Sequence, residues 1–141
     1  AQAPNADKYR VGATPTSAIL KLAALGLKGE LLMAQGDSAG AIKAFREGVA
    51  IEDQNNYIEP PDWAQPMRHY LGAALLQAGN PVAAEAVYRR DLRWNQNNGW
   101  SLFGLHQALL AQSKNAEADQ VAKRWEQAWA MADVKLSSSH L

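Results

Sequence analysis

Three stretches of this chain carry nearly the same phrase: Leu31-Leu32-Met33-Ala34-Gln35-Gly36, Ala74-Leu75-Leu76-Gln77-Ala78-Gly79 and Ala108-Leu109-Leu110-Ala111-Gln112-Ser113. Each is followed at one fixed distance by an alanine (Ala41, Ala84, Ala118), and one helical turn later come Phe45, Tyr88 and Ala122. Repetition on this scale marks a stack of like units, each too small to bury its own apolar face. Stacks of this kind work by presenting a surface to a partner, so the phrase bears on the class of function as well as on the fold.

Working outward from the phrase, alanine, leucine and glutamine are abundant and β-branched residues sparse, which favours helix. The spacing predicts six helices in three antiparallel pairs. Thr16 or Ser17 caps the first, which runs to about Gln35 with Ile19, Leu20, Ala23, Leu27, Leu31 and Ala34 as its apolar stripe. Asp37 or Ser38 caps the second, carrying Ala41, Ile42, Phe45 and Val49. Asp62 caps the third, with Gln65 as a capping-box partner and Pro66 in the first turn; this helix ends at Ala78. Asn80-Pro81 starts the fourth, which carries Val82, Ala83, Ala86, Val87 and Leu92. The fifth spans about Trp100 to Gln112. Asn115 caps the sixth, which runs to about Ala132 with Val121, Trp125, Ala128 and Trp129 on one side. Residues 1–16 read as an extended or poorly ordered arm and residues 133–141 as a frayed tail. No strand pattern competes.

Composition excludes several classes of function. Lysine plus arginine and aspartate plus glutamate both number 14, and each third of the chain is itself balanced. Binding of nucleic acid by phosphate neutralisation is therefore not expected. No apolar run approaches the roughly 18 residues a membrane span needs. The absence of cysteine removes disulfides and thiolate metal sites and leaves both a cytoplasmic and a periplasmic location open. The start, Ala1-Gln2-Ala3-Pro4, reads as a mature terminus or a boundary within a longer chain. The five tryptophans, Trp63, Trp94, Trp100, Trp125 and Trp129, all lie in the second half.

The repeated residues resemble the tetratricopeptide repeat, a 34-residue helix–turn–helix unit with the pattern W-x₂-L-G-x₂-Y followed by A-x₃-F. The second unit reads Arg68-x₂-Leu71-Gly72-x₂-Leu75, then Gly79, Ala84 and Tyr88. The first reads Leu25-x₂-Lys28-Gly29-x₂-Leu32, then Gly36, Ala41 and Phe45. The third reads Leu102-x₂-Leu105-His106-x₂-Leu109, then Ser113, Ala118 and Ala122. Units two and three stand one period apart, whereas the first pair is stretched by the proline-bearing segment 53–62. The run from Tyr57 to Trp63, followed by Leu71-Gly72, is also similar to the C-terminal part of larger bacterial repeat proteins of unassigned role. The resemblance implies an all-α fold of antiparallel pairs stacked as a right-handed superhelical solenoid, with units at about 18–53, 62–96 and 98–132 within a domain spanning 17–132.

The resemblance also implies a function: a scaffold that binds a peptide or helix in a groove lined by the first helix of each pair. Carried over position by position, that groove includes Glu30 and Met33 from unit one. Unit two gives His69, Ala73 and Leu76, with Arg68 as a nearby cation, and unit three gives Trp100, Phe103, Gln107 and Leu110. The lysine, arginine and asparagine residues that clamp a terminal carboxylate in some members are missing. Tyr57, Glu59 and Trp63 mark the one insertion where a small-ligand pocket would form. Trp125 and Trp129 end the stack, so their rings either pack inward or join two copies of the chain. Tryptophans at helical spacing mostly serve packing, which is the expectation for Trp94, Trp125 and Trp129. No histidine shows zinc-helix spacing and no serine has a matching base and orienting acid, so neither catalysis, a metal nor a cofactor is expected.

Overall fold

The computed structural model describes residues 6–54 and 61–140. They form six α-helices: α1 Thr16–Ala34, α2 Ser38–Glu52, α3 Met67–Gln77, α4 Pro81–Asp91, α5 Gly99–Leu110 and α6 Asn115–Trp129. The chain divides into two compact units, Ala1–Met67 and Arg68–Leu141. In the first, α1 packs on α2; in the second, α5 packs on both α4 and α6. The protein is all-α, with helices packed against their sequence neighbours as in a helical repeat.

The repeat has a physical core device. Phe45 and Tyr88 are fully buried, and each occupies the space beside a glycine of the preceding helix. A Cβ placed on Gly29 would stand 2.2 Å from the Phe45 ring, and one on Gly72 would stand 2.3 Å from the Tyr88 ring. The same sequence spacing joins Gly29 to Phe45, Gly72 to Tyr88, and His106 to Ala122. In the third copy, then, the large and small residues have exchanged helices. Gly104 gives Tyr88 a second close approach, at 2.2 Å. Ala41, Ala84 and Ala118 are all at 0% exposure, which explains why a small side chain recurs there.

The turn that closes each repeated phrase has the same handedness in all three copies. Gly36, Gly79 and Ser113 have φ of 82°, 71° and 59°. Ser113 holds a left-handed backbone with a side chain attached, at a cost of about 1 kcal/mol or more. Ser113→Gly is expected to raise unfolding stability by about 0.5–1 kcal/mol after the added freedom of the unfolded chain is subtracted. Urea unfolding followed by circular dichroism measures this.

Several local expectations are corrected. Within the arm expected to be extended or poorly ordered, the described residues are ordered: a 3₁₀ turn (Ala6–Lys8) leads into a hairpin, β1 Arg10–Val11 and β2 Thr14–Pro15, turning at Gly12 with φ of 56°. The strands are too short to show an alternating pattern. Asp62 does not cap a helix; its carboxylate accepts from the Ala13 and Thr14 N–H groups at 3.1 and 2.9 Å, tying down the hairpin. The third helix instead begins at Met67, whose N–H is accepted by the Glu52 carboxylate at 3.1 Å. Thr16 and Asn115 are first helical residues rather than caps, whereas Asn80 caps α4 as expected.

The apolar stripes are corrected too. On α1 the buried positions are Leu22, Gly26 and Gly29, while Leu20, Leu27 and Leu31 are 46%, 73% and 55% exposed. On α4, Ala84 and Tyr88 are buried and Val82 is exposed; on α6, Ala118 and Val121 are buried and Ala128 is exposed. Both α1 and α4 carry apolar residues nearly all round, so periodicity alone does not choose a face. The glycines and alanines that admit a neighbouring helix do choose it.

Candidate functional site

The chain after α6 does not fray. It leaves Trp129, whose indole N–H donates to the Val134 carbonyl at 2.7 Å, and bends at 137–139 against α3 and α4. Ser139 is 2% exposed. Its hydroxyl donates to the His69 carbonyl at 3.0 Å and lies 2.6 Å from the Tyr88 hydroxyl. Because the single serine proton is committed to His69, Tyr88 donates into the serine oxygen. The His140 ring stacks on Tyr70 at 5.2 Å. Burial pushes the Tyr88 phenol well above its ordinary range, outweighing the hydrogen bond to Ser139, so it remains a neutral donor. The expectation of a frayed tail is corrected over residues 133–140, because one buried hydroxyl and one ring contact are enough to seat it.

Below this face lies a buried polar hub. Asp91, at 2% exposure, accepts from the Ser101 hydroxyl at 2.6 Å and from the Asn95 amide at 3.1 Å. His69 Nε2 stands 3.5 Å from the same carboxylate oxygen that Ser101 uses. That distance makes an electrostatic contact, and neither His69 nitrogen has a hydrogen-bond partner among the described residues. Burial raises the Asp91 carboxyl, but the His69 imidazole and the Ser101 hydroxyl more than offset it and leave it lowered. The residue types are those of a nucleophilic triad, but the order is different. The carboxylate is the centre, and the serine donates to it instead of to the histidine. The hub ties α3, α4 and α5 together.

A second network lies at the surface. Glu85 accepts from Arg89, Lys114 and Gln112 at 2.7 Å each, and Arg89 also reaches Glu117 at 2.6 Å. Lys114, with Arg89 and Gln112, holds the Glu85 carboxyl down at about 2 against the opposing effect of burial. A carboxylate lowered on folding supports the fold fully above its ordinary pKa and loses that support as pH falls toward the folded value. Discounted for the exposed partners, Glu85→Gln is expected to cost about 1–2 kcal/mol at neutral pH. The difference from wild type should shrink as pH drops from 4.5 toward about 2, as read by urea midpoints across that window.

The expected groove residues fall into different environments. Trp100 packs edge-on against Trp129 at 5.4 Å, and Phe103 meets Trp125 at 5.4 Å. A Cβ on Gly99 would stand 2.2 Å from the Trp129 ring. All four rings are half-buried, so Trp100 and Phe103 each spend one side on a tryptophan of α6 and keep part of their surface open. His69 and Arg68 are buried, and Arg68 already interacts within the chain. Glu30, Met33, Ala73 and Leu76 are half-buried, and Gln107 and Leu110 are exposed. Trp94 is 60% exposed under the Arg90 guanidinium, 5.9 Å from the ring, so it does not serve core packing.

In the insertion, Tyr57 and Glu59 lie outside the described residues. Trp63 is half-buried, its indole N–H enclosed without a partner among the described residues. An open cleft of about 400 Å³ lies elsewhere in the first unit, where Arg10, Pro15, Ser17 and Lys21 meet Ile51 and Gln54. No described helix is long and apolar enough to cross a membrane. Among the described residues, no group of three histidine or acidic side chains could hold a metal ion.

Sequence reasoning missed Ser139, Tyr70 and His140 because nothing in a short polar tail signals where it lands. One signal did exist for the hydroxyl beneath it: the aromatic position that is Phe45 in unit one is Tyr88 in unit two, and a buried phenol needs a partner. Neither the known family models nor the curated proteins give a match to this chain.

Proposed function

We propose that the protein is a non-catalytic binding scaffold of the tetratricopeptide type that takes an extended peptide against the α3 side of its second unit. The observation that carries this reading is the seating of the irregular segment 133–140 on that face, held by the His69 carbonyl, the Tyr88 hydroxyl and the Tyr70 ring. A helical surface that accommodates one extended segment of its own chain has the donors, acceptors and ring faces to accommodate another. Selection of a random-peptide library on the folded chain tests it. Selected sequences should bind and shift the amide resonances of Tyr70, Ala73 and Leu76. Failure of any sequence to enrich overturns the reading.

The outer face of α1 supports a second reading, association through helix packing. Leu20, Ala24, Leu27, Leu31 and Ala34 are all exposed and follow the alternating three- and four-residue spacing of a coiled-coil seam. If this seam joins two copies, wild type sediments as a dimer at high concentration and Leu27→Glu as a monomer. Sedimentation as a strict monomer by the wild type removes the reading.

A further inference from the structure

We infer that the C-terminal tail is a resident ligand of the second unit, and that a partner segment bearing serine followed by a planar side chain displaces it from the same site. The inference rests on the peptide-binding reading above and adds the chemistry of the ligand and its regulation.

The site is built to present one hydroxyl. Gly72 and Gly104 leave the Tyr88 phenol passing between α3 and α5 with no room for a Cβ on either side; a Cβ added at either position would stand 2.6 Å from the phenol oxygen. The ring is fully buried, so its hydroxyl requires a polar partner within the protein or its ligand. Ser139 fills that role, and the His69 carbonyl beside it accepts the serine proton in turn. This donor–acceptor pair matches a ligand hydroxyl, which can accept and donate at once. An aliphatic residue there would leave both groups unpaired. The enclosure of Ser139 at 2% exposure limits the residue to a small one. One position further along, the Tyr70 face takes the His140 ring in a stacked arrangement, which fits any planar side chain.

The tail is held at few points. Among 133–140 only Ser139 is buried, Leu136, Ser138 and His140 are half-buried, and Asp133, Val134, Lys135 and Ser137 are exposed. A segment with so little burial opens locally at small cost compared with the helices beneath it. The tail therefore acts as an exchangeable plug: it satisfies Tyr88 and His69 when no partner is present and sets the affinity a partner must exceed.

The test uses the full chain and a labelled peptide of residues 134–140 as probe. Ser139→Asp places a carboxylate against the His69 carbonyl and should release the tail. His140→Ala removes the ring contact instead. Both changes lie outside the helices, and circular dichroism checks that helix content is kept. Carboxypeptidase should trim the tail of Ser139→Asp quickly and that of the wild type slowly. The probe should bind Ser139→Asp about tenfold or more tighter than wild type, since an occupied site is available only for the fraction of time the tail is away. His140→Ala should fall between, and a probe with valine at the Ser139 position should bind none of them. Equal probe affinity for wild type and Ser139→Asp, or a variant tail as protected as the wild-type tail, overturns the proposal. So does a trimmed Ser139→Asp chain that does not bind the probe. A chain that enriches library peptides yet gives any of these results keeps the binding reading and loses this one.

Discussion

Replacing Asp91 with alanine is expected to destabilise the second unit by about 3–5 kcal/mol, the usual cost of removing one partner from a buried charged contact. The reason is the number of groups that lose their acceptor together. Ser101, at 0% exposure, loses the oxygen it donates to, Asn95 loses its amide partner, and His69 loses the carboxylate placed 3.5 Å from its Nε2. Asp91→Asn should cost less, because an amide oxygen still accepts from Ser101. Ser101→Ala should cost about 1–2 kcal/mol, since it leaves one buried lone pair unsatisfied. Because Asp91 is lowered on folding, its contribution is present at neutral pH and fades as the solution is acidified below the ordinary carboxylate range. Urea unfolding of the three variants checks the order. Equal stability of Asp91→Ala and wild type would mean that the hub does not tie its helices.

The second large effect concerns the glycine–aromatic pairs. Phe45→Ala should cost about 3–5 kcal/mol because the ring is 1% exposed and the helices cannot fully collapse into the space it leaves. Gly29→Ala alone should cost about 1–3 kcal/mol, since its Cβ would stand 2.2 Å from that ring and something must shift. The two effects are not additive. In the double variant the new methyl enters the vacated space, so the pair should cost no more than Phe45→Ala by itself. An additive double variant would show that the close approach does not govern this packing.

The two predictions separate what a reader of the chain can see from what only the folded molecule shows. The glycine and aromatic positions stand in the sequence at a fixed spacing, in two copies with one polarity and in the third reversed as His106 and Ala122. Such spacing is a local property of helix pairs joined by short turns, so it survives in one dimension. The helix stops at Gly36 and Gly79 were legible for the same reason, while the left-handed backbone at Ser113 was not. The apolar stripes of α1 and α4 were not legible either, because helices whose small and aliphatic residues lie on several sides offer more than one face and only the neighbouring helix selects one.

The candidate site was far less legible. Asp91, Ser101 and His69 sit on three different helices, and no spacing rule relates them. Trp100 and Phe103 occupy positions that the repeat pattern assigns to a groove, and each also meets a tryptophan of α6, a contact that no spacing rule foretells. Asp62 looked like a cap because Gln65 stands at capping-box spacing, but its carboxylate takes the hairpin amides of Ala13 and Thr14 and the helix starts only at Met67.

By itself, then, the sequence determined an all-helical chain, the helix pairs, the turns between them and the residues through which each pair closes. These follow from local backbone preference and from a repeated steric requirement. Only the tertiary structure decided which faces are buried, which tryptophans meet other rings, and that the tail lies on α3 with Ser139 between Tyr88 and His69. Each of those outcomes depends on residues distant in the chain competing for the same surface, and that competition is resolved only by packing in three dimensions.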